Sequence, residues 1–311
     1  MTGGRFVVIG ESLVDIVVPV EGERVIAPGG SPLNVAVGLA RLEIPTLLVT
    51  QLGDDPYGEL VARHAVESAV LLAEGSVQPG RRTSTATALL DAGHAATYEF
   101  DLTWDIDRQS LPDDAVGVHV GSLGAALRPG RDAVLDLLAQ AADLFVSFDP
   151  NVRPAFVEDP AAAWRDLLEV AALARLVKCS EEDFAALRPG EDEASLAAEI
   201  LAAPATELLV VTKGGAGASA YRSDARVDVP APRTTVVDTV GAGDSFMAGL
   251  LAVLWDWGLT EAGEEGSLDA LDEARVALLL EGAVTAAAVT VARRGANPPT
   301  RLELPPTWPS G

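Results

Sequence analysis

Runs of apolar and β-branched residues alternate along the chain with segments in which apolar positions recur every three or four residues. RFVVIG at 5–10, TLLVTQLG at 46–53, AVGVHVGSL at 115–123, LFVSFDPN at 144–151 and ELLVVTKGG at 207–215 are of the first kind. Between and around them, SPLNVAVGLARL at 31–42, YGELVARHAVESAV at 57–70, GRDAVLDLLAQAA at 130–142, AAWRDLLEVAALA at 162–174 and the stretch after Gly243 carry the helical period. Near-continuous apolar strands separated by amphipathic helices predict a mostly parallel sheet with helices on both faces, a three-layer α/β/α core.

Two segments break this rhythm. LVDIVVPVEGERVI at 13–26 and RTSTATALLDAGHAATYEFDLTW at 82–104 are strand-like, with turn signals and no helix between their strands. They predict a small β-flap, formed by about 12–30 and 83–106, over one edge of the main sheet. With no repeat and no low-complexity linker, residues 1–311 read as one domain. EAGEEGSLDALDEA at 261–274 reads as an acidic surface loop before a last long helix. That helix contains Glu281 and is too rich in alanine to read as a membrane span.

The stretch DTVGAGDSFMAG at 238–249 carries the chemistry. RTTVVDTV at 233–240 reads as a strand, Gly241-Ala242-Gly243 as a turn, and Phe246, Met247, Leu250, Leu251 and Leu254 as one helix face before Gly258. Glycines at a helix N-terminus expose N–H groups at the positive end of the dipole, where an anion can approach the backbone. Asp244 places a carboxylate in that first turn, which is costly beside an anion unless it acts on a neighbouring hydroxyl. A base beside a phosphate cradle points to phosphoryl transfer. Phe246 stands where a dinucleotide fingerprint needs its third glycine, and no G-x-x-x-x-G-K-[ST] loop occurs.

Charge sharpens this picture. Lys and Arg number 22 against 46 Asp and Glu, a net charge of −24, so the molecular field repels nucleic acid and anionic membranes. The only lysines are Lys178 and Lys213. An anionic ligand must therefore rely on backbone N–H groups, a few arginines or a metal ion. Cys179 has no disulfide partner, and the start MTGGRFVVIGESLVD carries no long apolar leader, so a cytoplasmic location is expected. His64, His94 and His119 are scattered and form no ligand cluster.

PGGSPLNVAVGLARLEIPTLLVTQLGDDPYG at 28–58 and DTVGAGDSFMAGLL at 238–251, in that order, resemble the two signatures of the ribokinase-like (PfkB-type) carbohydrate kinases. GESLVDIV, VSFDPNVRP, VTKGGAGA and RRGANPPT are similar to its fructokinase-like and 2-keto-3-deoxygluconate-kinase-like branch. The resemblance implies a Rossmann-like, ribokinase-like core with a β-sheet lid. Asp244 then matches the catalytic base, and Gly241, Ala242 and Gly243 match the anion hole. Asp15, Gly29, Gly30, Asn34 and Arg153 match substrate-binding positions, and Ser180, Thr212, Gly214 and Gly217 nucleotide-binding ones. ATP and Mg²⁺ are the implied cofactors, with K⁺ as a monovalent activator. SEED at 180–183 replaces the family's N-x-x-E and leaves Asp183 as the Mg²⁺ candidate; Asp238 matches the monovalent-cation site.

The implied activity is ATP-dependent phosphorylation of a primary hydroxyl of a small sugar, D-fructose first. Alternatives are a 2-keto-3-deoxygluconate, ribose or nucleoside kinase, or a non-catalytic sugar or nucleotide sensor. The flap segment 96–104 offers Tyr98, Glu99, Phe100 and Trp104 to a sugar but no arginine for an acid. Its apolar face around Val17, Val18, Leu89 and Leu90 is compatible with a homodimer through the lid.

Overall fold

The computed structural model describes residues 4–91, 93, 96–107, 109–260 and 267–308; His94 and residues 261–266 of the expected acidic loop lie outside them. Strand β1 (Arg5–Ile9) shows how the core is divided. Phe6 and Val8 face one apolar cluster while Val7 and Ile9 face a second, because successive side chains of a strand point to opposite faces. Each cluster is roofed by its own helices, so β1 must be apolar throughout.

Nine strands form the main sheet. Besides β1 they are β4 (Thr46–Val49), β6 (Val70–Leu72), β10 (Ala115–Gly121), β11 (Phe145–Asp149), β12 (Leu176–Ser180), β13 (Leu208–Thr212), β14 (Ala218–Tyr221) and β15 (Arg226–Val229). Their order is β15-β14-β13-β12-β11-β10-β1-β4-β6, parallel except for the pairs β13–β14 and β14–β15. On one face lie α1 (Ser31–Arg41), α2 (Pro56–Glu67), α8 (Ala242–Asp256) and α9 (Glu273–Val291). On the other lie α3 (Ser122–Ala126), α4 (Gly130–Gln140), α5 (Pro160–Ala171), α6 (Glu181–Leu187) and α7 (Glu193–Leu201). The chain first builds outward from β1 to β4 and β6, then returns to β10 on its other side. That reversal opens a crevice at the carboxyl ends of β1 and β10.

A second sheet, ordered β3-β2-β8-β9, consists of β2 (Leu13–Val18), β3 (Val25–Gly29), β8 (Ser84–Leu90) and β9 (Ala96–Asp101). The short pair β5 (Leu52–Gly53) and β7 (Val77–Gln78) stands apart from both. Asp55 ties the second sheet to α2: its carboxylate caps that helix at Gly58 N and accepts bonds from Thr83 N and Oγ1 just before β8. Burial on the second sheet is partial at Val17, Val18, Leu89 and Leu90, whereas Val25, Ile26, Tyr98 and Phe100 are exposed.

Two expectations need correction, and one strand lies outside the apolar pattern. RTTVVDTV is not a strand: the sheet ends at β15, and the N–H groups of Val237 and Asp238 bond to the Val291 carbonyl at the end of α9. Val236, Val237 and Val240 are exposed accordingly. Strand β12 is absent from the apolar pattern because Lys178 interrupts it, yet that lysine is buried and paired with Asp149 at 2.8 Å. Trp104 is no lid residue but a core one, donating Nε1–H to the Gly124 carbonyl. The long helix α9 has the length and hydropathy of a membrane span, but Val276, Leu279, Leu280, Ala283 and Ala286 are buried in the core beside α8.

The approach of α8 to α9 depends on Gly249, where a Cβ would stand 2.9 Å from Ala283 Cα. Gly249→Val is expected to destabilise the fold by about 1–3 kcal/mol through overpacking, read as a lower urea midpoint.

Candidate active site

Two helix N-termini meet at the crevice. Helix α1 starts after Gly30 (φ 107°), where a Cβ would stand 2.6 Å from the Glu11 carbonyl oxygen, and α8 starts after Gly241 (φ 75°), where it would stand 2.7 Å from Ala296 Cβ. Neither helix has a side-chain cap; at α8 the Ala242 N–H bonds the Thr239 carbonyl at 3.2 Å, and no side chain occupies the N–H groups that follow it. Asp244, in the first turn of α8, is buried. Its carboxylate accepts bonds from Ser31 Oγ at 2.6 Å, Asn34 Nδ2 at 2.7 Å and Asn151 Nδ2 at 3.5 Å. A carboxylate has about four acceptor positions, so three donors orient it and leave room for one more, such as a substrate hydroxyl.

Asn34 is thus an anchor of Asp244 and not the cap of its helix. Asp15 lies on β2, and a Cβ on Gly29 would fall 2.1 Å from its Oδ2, so only bare backbone fits over that carboxylate. Burial raises the Asp15 pKa, opposed by Arg153 and reinforced by Asp244, which places all three within electrostatic reach. Arg153 is exposed and donates to Asn151 Oδ1 at 2.8 Å, completing a chain from Arg153 through Asn151 to Asp244. Glu11 faces the same crevice and accepts Gly124 N at 2.7 Å. Burial pushes its carboxyl up to about 7, opposed by the bond from Gly124 N and by the charge of Arg153.

The remaining predicted residues lie along the carboxyl ends of β12 and β13 and at the start of α8. Thr212 ends β13, and the turn that follows is exposed at Gly214 (φ 49°). At Gly217 (φ 105°) a Cβ would collide with the Val229 carbonyl at 2.0 Å. Ser180 and Asp183 form a capping box for α6, each side chain accepting the other's N–H. Asp183 also accepts Val152 N at 2.6 Å, so both of its oxygens serve protein donors. Asp238 accepts Gly295 N and Val240 N and clamps the loop before α8 to the loop after α9. Among the described residues no three His, Cys, Asp or Glu side chains form a metal site. His119 is a packing residue against Ser147, its pKa lowered by burial to about 3.

Sequence reasoning missed Ser31, Asn151, Glu11 and the Asp149–Lys178 pair. The first three lie inside quoted motifs but are drawn to the crevice only by long-range folding. For Lys178 the one signal was scarcity, as it is one of two lysines.

Residues 4–302 match the profile of the pfkB family carbohydrate kinases. The chain belongs to that family. This kinase is 37% identical over 273 residues to the fructokinase of Rhizobium leguminosarum bv. trifolii, covering 84% of this chain and 82% of the relative. A fructokinase from Xylella fastidiosa with bound ATP superposes at a TM-score of 0.79 with 26% identity, over 94% of this chain and 93% of that one. A fructokinase double mutant from Vibrio cholerae O395, bound to fructose, ADP and potassium, gives 0.76 and 25%, over 95% and 94%. The kinase is therefore an ATP-dependent sugar kinase with the three-layer core that the strand–helix alternation predicts.

Glu11 makes a pH prediction. Its folded pKa lies above the ordinary value of 4.5, so its stabilising contribution is complete below that pH and is lost as pH rises through about 7. Glu11→Gln cannot ionise. Urea unfolding at pH 5 and pH 8 should show wild type losing stability relative to this variant, and parallel pH curves would contradict the assignment.

Proposed function

We propose that this kinase transfers the γ-phosphoryl group of ATP to a primary hydroxyl of D-fructose. The observation that carries the reading is the Asp244 carboxylate, fixed by Ser31, Asn34 and Asn151 beside the uncapped N-terminus of α8. The sugar hydroxyl takes the free acceptor position on Asp244 and passes its proton there as its oxygen bonds to phosphorus. The N–H groups of Gly241, Ala242 and Gly243 meet the charge on the transferring group, where a preorganised donor acts without reorganisation. Asp15, Asn34 and the bare backbone at Gly29-Gly30 supply acceptors and donors for the other hydroxyls, and Arg153 closes the crevice. A sugar acid is disfavoured, because Asp15 and Asp244 would face its carboxylate. The fructokinase names of the relatives and the fructose and ADP held by a similar structure support this choice.

Thr212, Ser180, Gly214 and Gly217 are placed to flank the nucleotide. Mg²⁺ fits as an ion carried by the phosphates and water, since Asp183 is already committed to protein donors; there it would offset phosphate charge. K⁺ fits near Asp238, between the two clamped loops. Residues 1–311 act as one domain, with the four-stranded sheet as lid. Phe100 of β9 already meets Phe156, beyond Arg153, with ring centroids 4.9 Å apart. The exposed lid positions Val25, Ile26 and Tyr98 suit a homodimer in the cytoplasm.

Asp244→Asn should lower kcat by about 10²- to 10⁴-fold and leave sugar affinity within about threefold, measured by coupled ADP release and calorimetry. Near-normal turnover would remove Asp244 as base. The same assay over fructose, ribose, 2-keto-3-deoxygluconate, tagatose and adenosine should give fructose the highest kcat/KM.

A further inference from the structure

Lys178 is buried at the end of β12, its Nζ 2.8 Å from Asp149 Oδ2 at the end of β11. A buried ion pair is no stability requirement: apolar residues of similar volume often replace such pairs without loss. Its position is therefore informative. A Cβ built on Gly243 would stand 3.6 Å from Lys178 Nζ, the one atom within 4 Å among the described residues outside its chain neighbours and the backbone of its own helix. The space left open by the last glycine of Gly-Ala-Gly is thus bounded by an ammonium. Burial alone would lower the lysine's pKa, but Asp149, Asp183 and Asp244 raise it, so it carries its proton. Asp149 is held in turn by Asn151 N at 3.2 Å.

We propose that Lys178 is a catalytic residue of the phosphoryl transfer, its ammonium contacting the γ-phosphoryl group at the start of α8, with Asp149 as its positioning residue. This rests on the kinase reading above. In the step, the sugar oxygen bonds to the γ-phosphorus, the bond from that phosphorus to the β–γ bridging oxygen breaks, and its electron pair leaves on ADP. The hydroxyl proton goes to Asp244. Lys178 keeps its proton throughout and offsets charge on the non-bridging oxygens, which the acidic surroundings would otherwise oppose.

Lys178→Met should lower kcat by about 10²- to 10³-fold, the usual loss for one transition-state donor, with the sugar KM within about threefold. Affinity for ADP with aluminium fluoride, a mimic of the transferring group, should fall far more than affinity for ADP alone. Lys178→Met leaves Asp149 buried without its partner, so Lys178→Met/Asp149→Asn is the decisive variant: it removes both charges and should stay as slow as the single variant. Recovery to within about threefold of wild type would assign the pair to structure and overturn the proposal. A test needing no change at Lys178 uses the chain's two lysines. In ¹⁵Nζ-lysine-labelled Lys213→Met protein, the remaining ammonium signal should move with ADP and aluminium fluoride but not with ADP alone; an unmoved signal overturns the contact. All arms use whichever sugar wild type turns over, so a wrong sugar assignment and a wrong role for Lys178 give different results.

Discussion

A single buried carboxylate, held between the N-termini of two helices, sets the geometry on which the rest of the molecule depends. Asp244 belongs to α8, yet two of its donors, Ser31 and Asn34, come from α1. A carboxylate removed from water is costly unless such donors replace its hydration. The two helices must therefore keep their spacing closely, and small residues let them do so. A Cβ on Gly38 of α1 would stand 2.6 Å from Ala248 Cβ of α8. The core behind the crevice is thus packed to serve one hydrogen-bonded anchor at its rim.

A second constraint is charge. A chain with a net charge of −24 must draw a polyanionic nucleotide into a crevice that already holds Asp15, Asp149 and Asp244. A helix start without a side-chain cap, such as that of α8, offers backbone N–H groups to an anion without adding side chains. Two cations meet these carboxylates: Arg153 lies within electrostatic reach of Asp15 and Glu11, while Lys178 pairs with Asp149 at 2.8 Å. Asp149 illustrates the tension, since burial raises its pKa to about 6 while the neighbouring ammonium opposes the shift.

The second sheet is coupled to this centre through the backbone. Strand β3 runs through Gly29 and Gly30 directly into α1, and β2 carries Asp15 beneath that junction. The second sheet thus leads without a break into the helix whose Ser31 and Asn34 orient Asp244. Asp55 fixes the other end of the sheet to α2, and the Phe100–Phe156 contact joins its outer strand to the loop that carries Arg153. The capping box at Ser180 and Asp183 steadies that same loop through Val152 N. Ser180 and Asp183 thus also brace the segment that carries Asn151 and Arg153.

The sequence by itself determined the layer architecture, because hydrophobic period is a local property: RFVVI must be covered on both faces, and the helical segments beside it supply the cover. It also determined the start of α8, since Gly-Ala-Gly before Asp244 is a local backbone requirement, and the two quoted signatures carried the family. Tertiary structure alone decided which side chains share a bond with Asp244. Ser31, Asn34 and Asn151 lie between 93 and 213 residues away from it, and no local pattern encodes such partners. The same holds for β12, where Lys178 breaks the apolar run and is accommodated only because folding brings Asp149 to 2.8 Å. It holds in reverse for RTTVVDTV, whose β-branched residues favour an extended chain but find no strand to pair with. Local sequence sets what a segment prefers; burial and partnership depend on what the rest of the chain brings beside it.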